Sequence, residues 1–231
     1  MQKYIYLIGA LLFLPYWIYI FHKFRFFRKA LLIFSLTYGI IGVASGWLWF
    51  VNDWWRPETV LGYKVGIEDF ILGFTNGGIA SSLWIFLSGN KTVKSNDEKV
   101  VRFVMPLVVI FVLNIIFVNT LKINSSLGNS LAIILTLSFI FHTRRDLVKI
   151  ALQGGIIMAL LSLPVYLLIL YFFPDWVRNI WLNKQLSGLL FVGVPIEDLV
   201  WYFAVGAFVS VSYPYYKGIR LNSHLVISNE R

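Results

Sequence analysis

The sequence predicts an all-α, polytopic membrane helical bundle of about seven transmembrane helices, arranged as two parallel three-helix repeats plus a connector helix. Three observations carry this expectation. Of the 231 residues, 58% are hydrophobic and 13% charged, with a mean hydropathy of +0.75, whereas a soluble domain carries about 25% charged residues. Several apolar runs reach the roughly 20 residues that a helix needs to cross a ~30 Å hydrocarbon core. The basic residues alternate between successive connections in the way the positive-inside rule describes. Inside lipid every backbone group must be bonded internally, so such runs form helices. A transmembrane barrel would instead show polar and apolar residues in alternation.

The spans are expected near Tyr4–Phe21, Ala30–Val51, Gly66–Ser88, Phe103–Leu121, Ser130–Phe141, Leu147–Phe172 and Pro195–Tyr213. The fifth is short and should extend into its flanks. The first lacks the strongly basic start and small-residue cleavage site of a signal peptide, and reads as a retained helix. Of the 20 Lys and Arg residues, 14 fall in connections one, three and five and in the C-terminal tail, against 6 on the other side. This places the N-terminus outside and the C-terminus in the cytoplasm of an integral cell-membrane protein. The net charge of +9 then reflects loops facing anionic membrane lipid, not nucleic acid. The absence of cysteine excludes disulfides, iron–sulfur clusters and thiolate zinc sites. His22, His142 and His224 fall at helix ends or in the tail with no second ligand at metal spacing. No metal is expected, and with no Gly-rich nucleotide loop no cofactor is expected either.

An internal repeat underlies the domain reading. Arg28 and Lys29 precede a helix containing Gly39-Ile40-Ile41, a Trp-rich loop and then Gly66-Ile67-Glu68-Asp69. Arg144 and Arg145 precede a helix containing Gly155-Ile156-Ile157, a second Trp-rich loop and then Pro195-Ile196-Glu197-Asp198. The second loop carries an extra segment, Trp181–Gly193. With an odd helix between them, the repeats enter the bilayer in the same direction, a known membrane architecture. The expected divisions are a first repeat over 1–88, a cytoplasmic loop and connector helix over 89–125, a second repeat over 126–216 and a cytoplasmic tail over 217–231.

Glu68, Asp69, Glu197 and Asp198 are the candidate catalytic residues. The chain has only 11 acidic residues, and these four open two hydrophobic helices, where a carboxylate costs about 2.5–3.5 kcal/mol to insert. A first-turn acid can simply serve the helix dipole and cap free N–H groups. Recurrence of the doublet at corresponding places argues for more. Consecutive helical residues point about 100° apart, so one acid of each doublet can face the bundle interior while its neighbour caps or pairs elsewhere. Below Asp69 run Gly73, Asn76, Gly77 and Ala80, small residues that admit a partner helix or a flat ligand. Below the second doublet lie Trp201 and Tyr202. A protonated carboxyl in a dry site can donate a proton to an electron-rich double bond. Aromatic faces stabilise the carbocation that results, and a second carboxylate can take a proton away, giving isomerisation without redox chemistry. Asn76, Trp201, Tyr202, Arg56 and Arg178 are the candidate substrate-binding residues. Arg56 and Arg178, in the two Trp loops, are candidates for orienting the carboxylates or anchoring at the interface. Trp54, Trp55, Trp176 and Trp181 fit an interfacial aromatic belt.

Over these segments the chain resembles the lycopene cyclase domain family, the membrane-bound type built from three-helix modules with two modules per active unit. Its Pro-x-Glu-Glu/Asp signature is matched by Pro195-Ile196-Glu197-Asp198, followed by Gly206 and Tyr213. Gly66-Ile67-Glu68-Asp69 matches it with Gly in place of Pro, and Leu186-Ser187-Gly188 and the Trp loops are also similar. The resemblance implies an intramolecular lyase or isomerase that closes rings at the ends of a hydrophobic polyene, a linear carotenoid, with the four acids in catalysis. A membrane transporter or channel with parallel repeats, or a noncatalytic carotenoid-binding protein, shares many of these features, and a homodimer is possible.

Overall fold

The computed structural model describes residues 2–89, 92–93, 98–181 and 186–221. Parts of the expected 89–102 loop and 181–193 insertion, and the tail beyond 221 with His224, lie outside the described residues. Seven helices are long and apolar enough to cross a membrane: α1 Ile5–Lys23, α2 Arg25–Asp53, α3 Ile67–Ser88, α4 Val101–Thr120, α5 Ser125–Thr143, α6 Arg145–Phe172 and α7 Ile196–Lys217. The protein is thus an all-α integral membrane bundle.

Three helices differ from the sequence expectation by four residues or more at one end: α2 starts at Arg25, five residues before Ala30, and two others differ for a local reason. α5 starts five residues before Ser130. Asn124 caps it by accepting a hydrogen bond from the Ser126 N–H at 3.0 Å, and this polar first turn is what hydropathy leaves out. α7 continues past Tyr213 to Lys217 and stops where Gly218 takes a left-handed conformation, φ 66°, the usual helix terminator.

α3 and α7 form the centre, each with 56% of its membrane window buried, while α4 has only 11% and lies largely against lipid. α2 packs along α3, α6 packs along α7, and α7 also touches α3, α4 and α5. In lipid no hydrophobic force drives helices together, so close approach of small residues does. Gly42 of α2 sits against the backbone of α3: a Cβ there would lie 2.9 Å from the Asp69 carbonyl oxygen. A Cβ on Gly155 of α6 would likewise lie 2.7 Å from the Phe203 carbonyl oxygen of α7. Hydroxyls in this dry interior turn onto their own helix, as Thr75 does to the Ile71 carbonyl at 2.8 Å and Ser82 to that of Ile79 at 2.7 Å, which satisfies these donors within the apolar core.

α2 and α4 each widen into a π-helical turn near their ends, Gly46–Phe50 and Ile115–Thr120. The two turns are tied by the Trp49 indole, which donates to Asn119 Oδ1 at 2.7 Å. π-turns often mark functional sites. The two loops that lead into α3 and α7 join each other. Trp55 bridges to Trp181, and the Arg56 N–H donates to the Ile180 carbonyl at 2.8 Å. The chain then enters α7 through a small hairpin, Leu190–Phe191 against Val194–Pro195. Val192 and Gly193 take positive φ at its tip, as a two-residue hairpin turn requires.

Candidate active site

Each acidic doublet sits in the first turn of its helix, and in both the two acids divide their work in the same way. Glu68 is buried and its Oε1 accepts a hydrogen bond from the Val60 N–H at 2.6 Å. Glu197 Oε1 accepts from the Ser187 N–H at 2.7 Å. Each glutamate therefore ties the preceding loop down onto the start of its helix, and neither lines the central cavity. Each aspartate turns inward. Asp69 and Asp198 both line one cavity of about 570 Å³, walled mainly by α2, α3, α4 and α7 with contributions from α1, α5 and α6. The sequence reading allowed one acid of each pair to face inward, and the structure selects the aspartates.

Asp69 Oδ2 accepts from the Gly66 N–H at 2.8 Å, one of the free N–H groups at the helix start, and Oδ1 accepts from the Tyr6 hydroxyl of α1 at 2.7 Å. Glycine fits before α3 because Gly66 lies against Thr59 and the Glu68 side chain. Asp198 is held by three side-chain donors instead. Its Oδ1 accepts from the Trp54 indole at 2.9 Å and the Trp181 indole at 2.8 Å, and its Oδ2 accepts from the Tyr166 hydroxyl. All of these donors are neutral.

The rest of the cavity wall is mainly apolar or aromatic, with Thr37, Ser45, Asn76, Asn114 and Asn129 as polar members. Tyr202 lies beside Tyr166 at 6.5 Å between ring centroids and edge-on to Trp201 at 5.2 Å. Trp201 packs edge-on to Trp54 at 5.5 Å, and its indole donates to Asn129 Oδ1 at 3.1 Å. Asn76 also lines the cavity, its amide held by donation to the Leu72 carbonyl at 3.0 Å. Two carboxyls and several aromatic faces, with no Lys or Arg along the wall among the described residues, make a chamber in which a proton can move and a carbocation can be stabilised.

Arg56 and Arg178 are not brought to the aspartates. Arg56 donates to the Val51 carbonyl at 2.5 Å and the Asn52 carbonyl at 3.1 Å, closing the end of α2, and Arg178 is exposed. The belt expectation for the tryptophans is corrected. Trp54, Trp176 and Trp181 are buried at 4%, 8% and 3% exposure. A buried indole N–H needs an acceptor, and Asp198 supplies one for both Trp54 and Trp181. Tyr6 and Tyr166 escaped the sequence reading. The chain has 12 tyrosines, and nothing local marks the two whose hydroxyls reach these aspartates.

Residues 124–216 match the family model described as Lycopene cyclase. This stretch, less than half of the chain, is thus similar to the lycopene cyclase family. No curated protein and no solved structure matches the chain significantly. The lycopene cyclase match spans α5, α6 and α7 and holds Asp198, Trp181 and Tyr166. Asp69, Tyr6 and Trp54 come from outside it, so the cavity joins a recognisable half to one that is not recognised. The carotenoid cyclase-like character and the membrane setting that the signature implies agree with this match.

Proposed function

We propose that the protein is an intramembrane, non-redox isomerase that closes a ring at the end of a linear carotenoid, with Asp69 and Asp198 as its proton-handling pair. One observation supports this above all others: aspartates at equivalent positions of α3 and α7 share a single apolar, aromatic-walled cavity. In the reaction one carboxyl gives its proton to the terminal double bond of the polyene. The cation so formed is attacked by an internal double bond, which makes the ring carbon–carbon bond and moves the charge into the ring. The second carboxylate removes a proton from the neighbouring carbon, leaving a ring alkene. One proton enters and one leaves, so no oxidant or reductant is consumed.

Tyr6 fixes Asp69, and Trp54, Trp181 and Tyr166 fix Asp198, which is the positioning that general acid–base catalysis needs. Trp54, Trp201 and Tyr202 offer ring faces to the cation. Glu68 and Glu197 serve the roof loops rather than the chemistry. In this reading residues 1–88 and 126–216 act as two modules of one active unit, with 89–125 as their connection, and α3 and α7 start at the outer face.

The test is expression in lycopene-accumulating cells followed by pigment analysis. The wild-type chain is expected to give cyclic carotenoid of the same mass as the substrate. Undiminished conversion by the Asp69→Asn, Asp198→Asn double variant would remove the proposal.

A further inference from the structure

The cavity has two very different boundaries. Its roof, beside the aspartates, is closed by aromatic packing. Trp54 and Trp55 line it, Tyr6 packs edge-on to Trp55 with ring centroids 4.8 Å apart, and Trp55 meets Trp181 at 5.7 Å. The side between α2 and α4 is different. Ile40 and Leu48 of α2 and Val104, Val108 and Phe111 of α4 line the cavity and yet are 45–64% exposed. Ala44, a small residue, is exposed and lines the cavity between Ile40 and Leu48.

A side chain that belongs to both surfaces marks a mouth. This mouth is framed above by the Trp49–Phe111 ring contact at 5.6 Å, together with the Trp49–Asn119 hydrogen bond, and below by the Phe34–Phe103 contact at 5.0 Å. From Ile40 to Leu48 it spans roughly 12 Å of helix rise. The six residues of its lips are all apolar, and α4 is the span that lies most openly against lipid.

We infer that the gap between α2 and α4 is a lateral portal. One end of a long apolar polyene slides through it from the acyl-chain layer, while the unreacted remainder stays in the lipid groove outside. This rests on the carotenoid reading for its substrate but on geometry alone for its route. The volume supports it: 570 Å³ accommodates an end group, within the usual range of ligand pockets. It does not accommodate a molecule comparable in length with a ~30 Å hydrocarbon core. The two ends of a carotenoid would then react in separate visits.

The portal is tested with the full chain in phosphatidylcholine vesicles containing a fatty acyl chain tipped with a diazirine, which inserts on illumination without needing a reactive side chain. Residue-resolved mass spectrometry is expected to find insertion at cavity residues Tyr202, Val205 and Asn76. The double variant Ala44→Trp, Val108→Trp should lower that insertion at least tenfold, while labelling of Val112, an exposed residue of α4, stays unchanged as the control for a folded protein. Leu48→Ala widens the mouth and should raise cavity labelling, a second measurement that holds if the plugged variant misfolds. Cavity labelling that is absent from the wild type, or equal in all three proteins, overturns the portal. Polyene conversion is measured in the same vesicles. If labelling responds to the plug but the wild type converts no polyene, the ring-closure reading fails and the portal stands. If conversion persists in the folded, plugged variant, the portal is wrong and ring closure stands.

Discussion

Asp69 and Asp198 stand at the same point of two central helices, yet they are held by different means. Asp69 has one side-chain donor, Tyr6, and one backbone donor belonging to its own helix start. Asp198 has three side-chain donors drawn from both sides of the bundle, with Trp54 coming from the end of α2 and Trp181 and Tyr166 from its own half. The duplicated motif thus supplies two acids in matching places, and the surroundings make them unequal. Asp69 is fixed mainly by its local turn. Asp198 is fixed by tertiary contacts, and Trp54 makes the geometry of the second acid depend on the first half of the chain.

The largest effects should separate aspartate from glutamate within each doublet. Asp69→Asn and Asp198→Asn are each expected to cut conversion roughly 100- to 10,000-fold, the usual contribution of a positioned acid or base, measured as cyclic pigment formed per unit of protein. Glu68→Ala should leave turnover of the folded protein largely intact. It should cost stability by about 1–3 kcal/mol, because the Val60 N–H loses its acceptor, which a shift in detergent melting temperature would show. If Glu68→Ala proves as inactive as Asp69→Asn while equally folded, the division of labour is mistaken.

A smaller effect sharpens the contrast between the two aspartates. A hydrogen bond to a charged group is worth about 1.5–3 kcal/mol, and about 1.4 kcal/mol is tenfold in an equilibrium or rate. Tyr6→Phe removes the side-chain donor that holds Asp69, so conversion should fall by about tenfold or more. Trp54→Phe leaves Asp198 with Trp181 and Tyr166 and should cost less. The reverse order, read from initial rates in isolated membranes, would show that the donor count does not rank the two sites.

Two further changes should do little. Arg56→Ala and Arg178→Ala are expected to keep conversion within about twofold, since neither side chain lines the cavity and surface substitutions of this kind are usually small in effect. On the opposite side of the bundle, exposed Glu98 pairs with Lys217 and Tyr216. Its hydrogen bond with Lys217 holds its carboxyl below the usual glutamate range. That contribution is present above the ordinary glutamate pKa and is lost as pH falls through the lowered value. Glu98→Gln should therefore leave melting unchanged in acid, and full exposure and solvent screening should keep any loss at neutral pH barely measurable.

Much of the fold was legible in the chain because bilayer physics leaves few choices. Apolar length sets the helices, and the expected and observed spans differ mainly at ends decided by polar capping, as at Asn124, or by a helix running through Pro214 to Gly218. The acidic doublets stood out because carboxylates are costly in hydrocarbon. Their inner partners did not stand out, since an indole or phenol in an aromatic-rich chain carries no mark of where its N–H or O–H will point.

Taken alone, the sequence determined a bundle of seven spanning helices and two acidic helix starts, because burial cost and periodicity act residue by residue along the chain; the carotenoid expectation came from the family resemblance of its motifs. Only the tertiary structure decided that the aspartates face the cavity and the glutamates fasten loops. It also decided that Tyr6, Trp54, Trp181 and the hydroxyl of Tyr166 hold the two aspartates, and it underlies the proposed portal between α2 and α4. Those outcomes depend on rotation and contact between helices far apart in sequence, which no local pattern encodes.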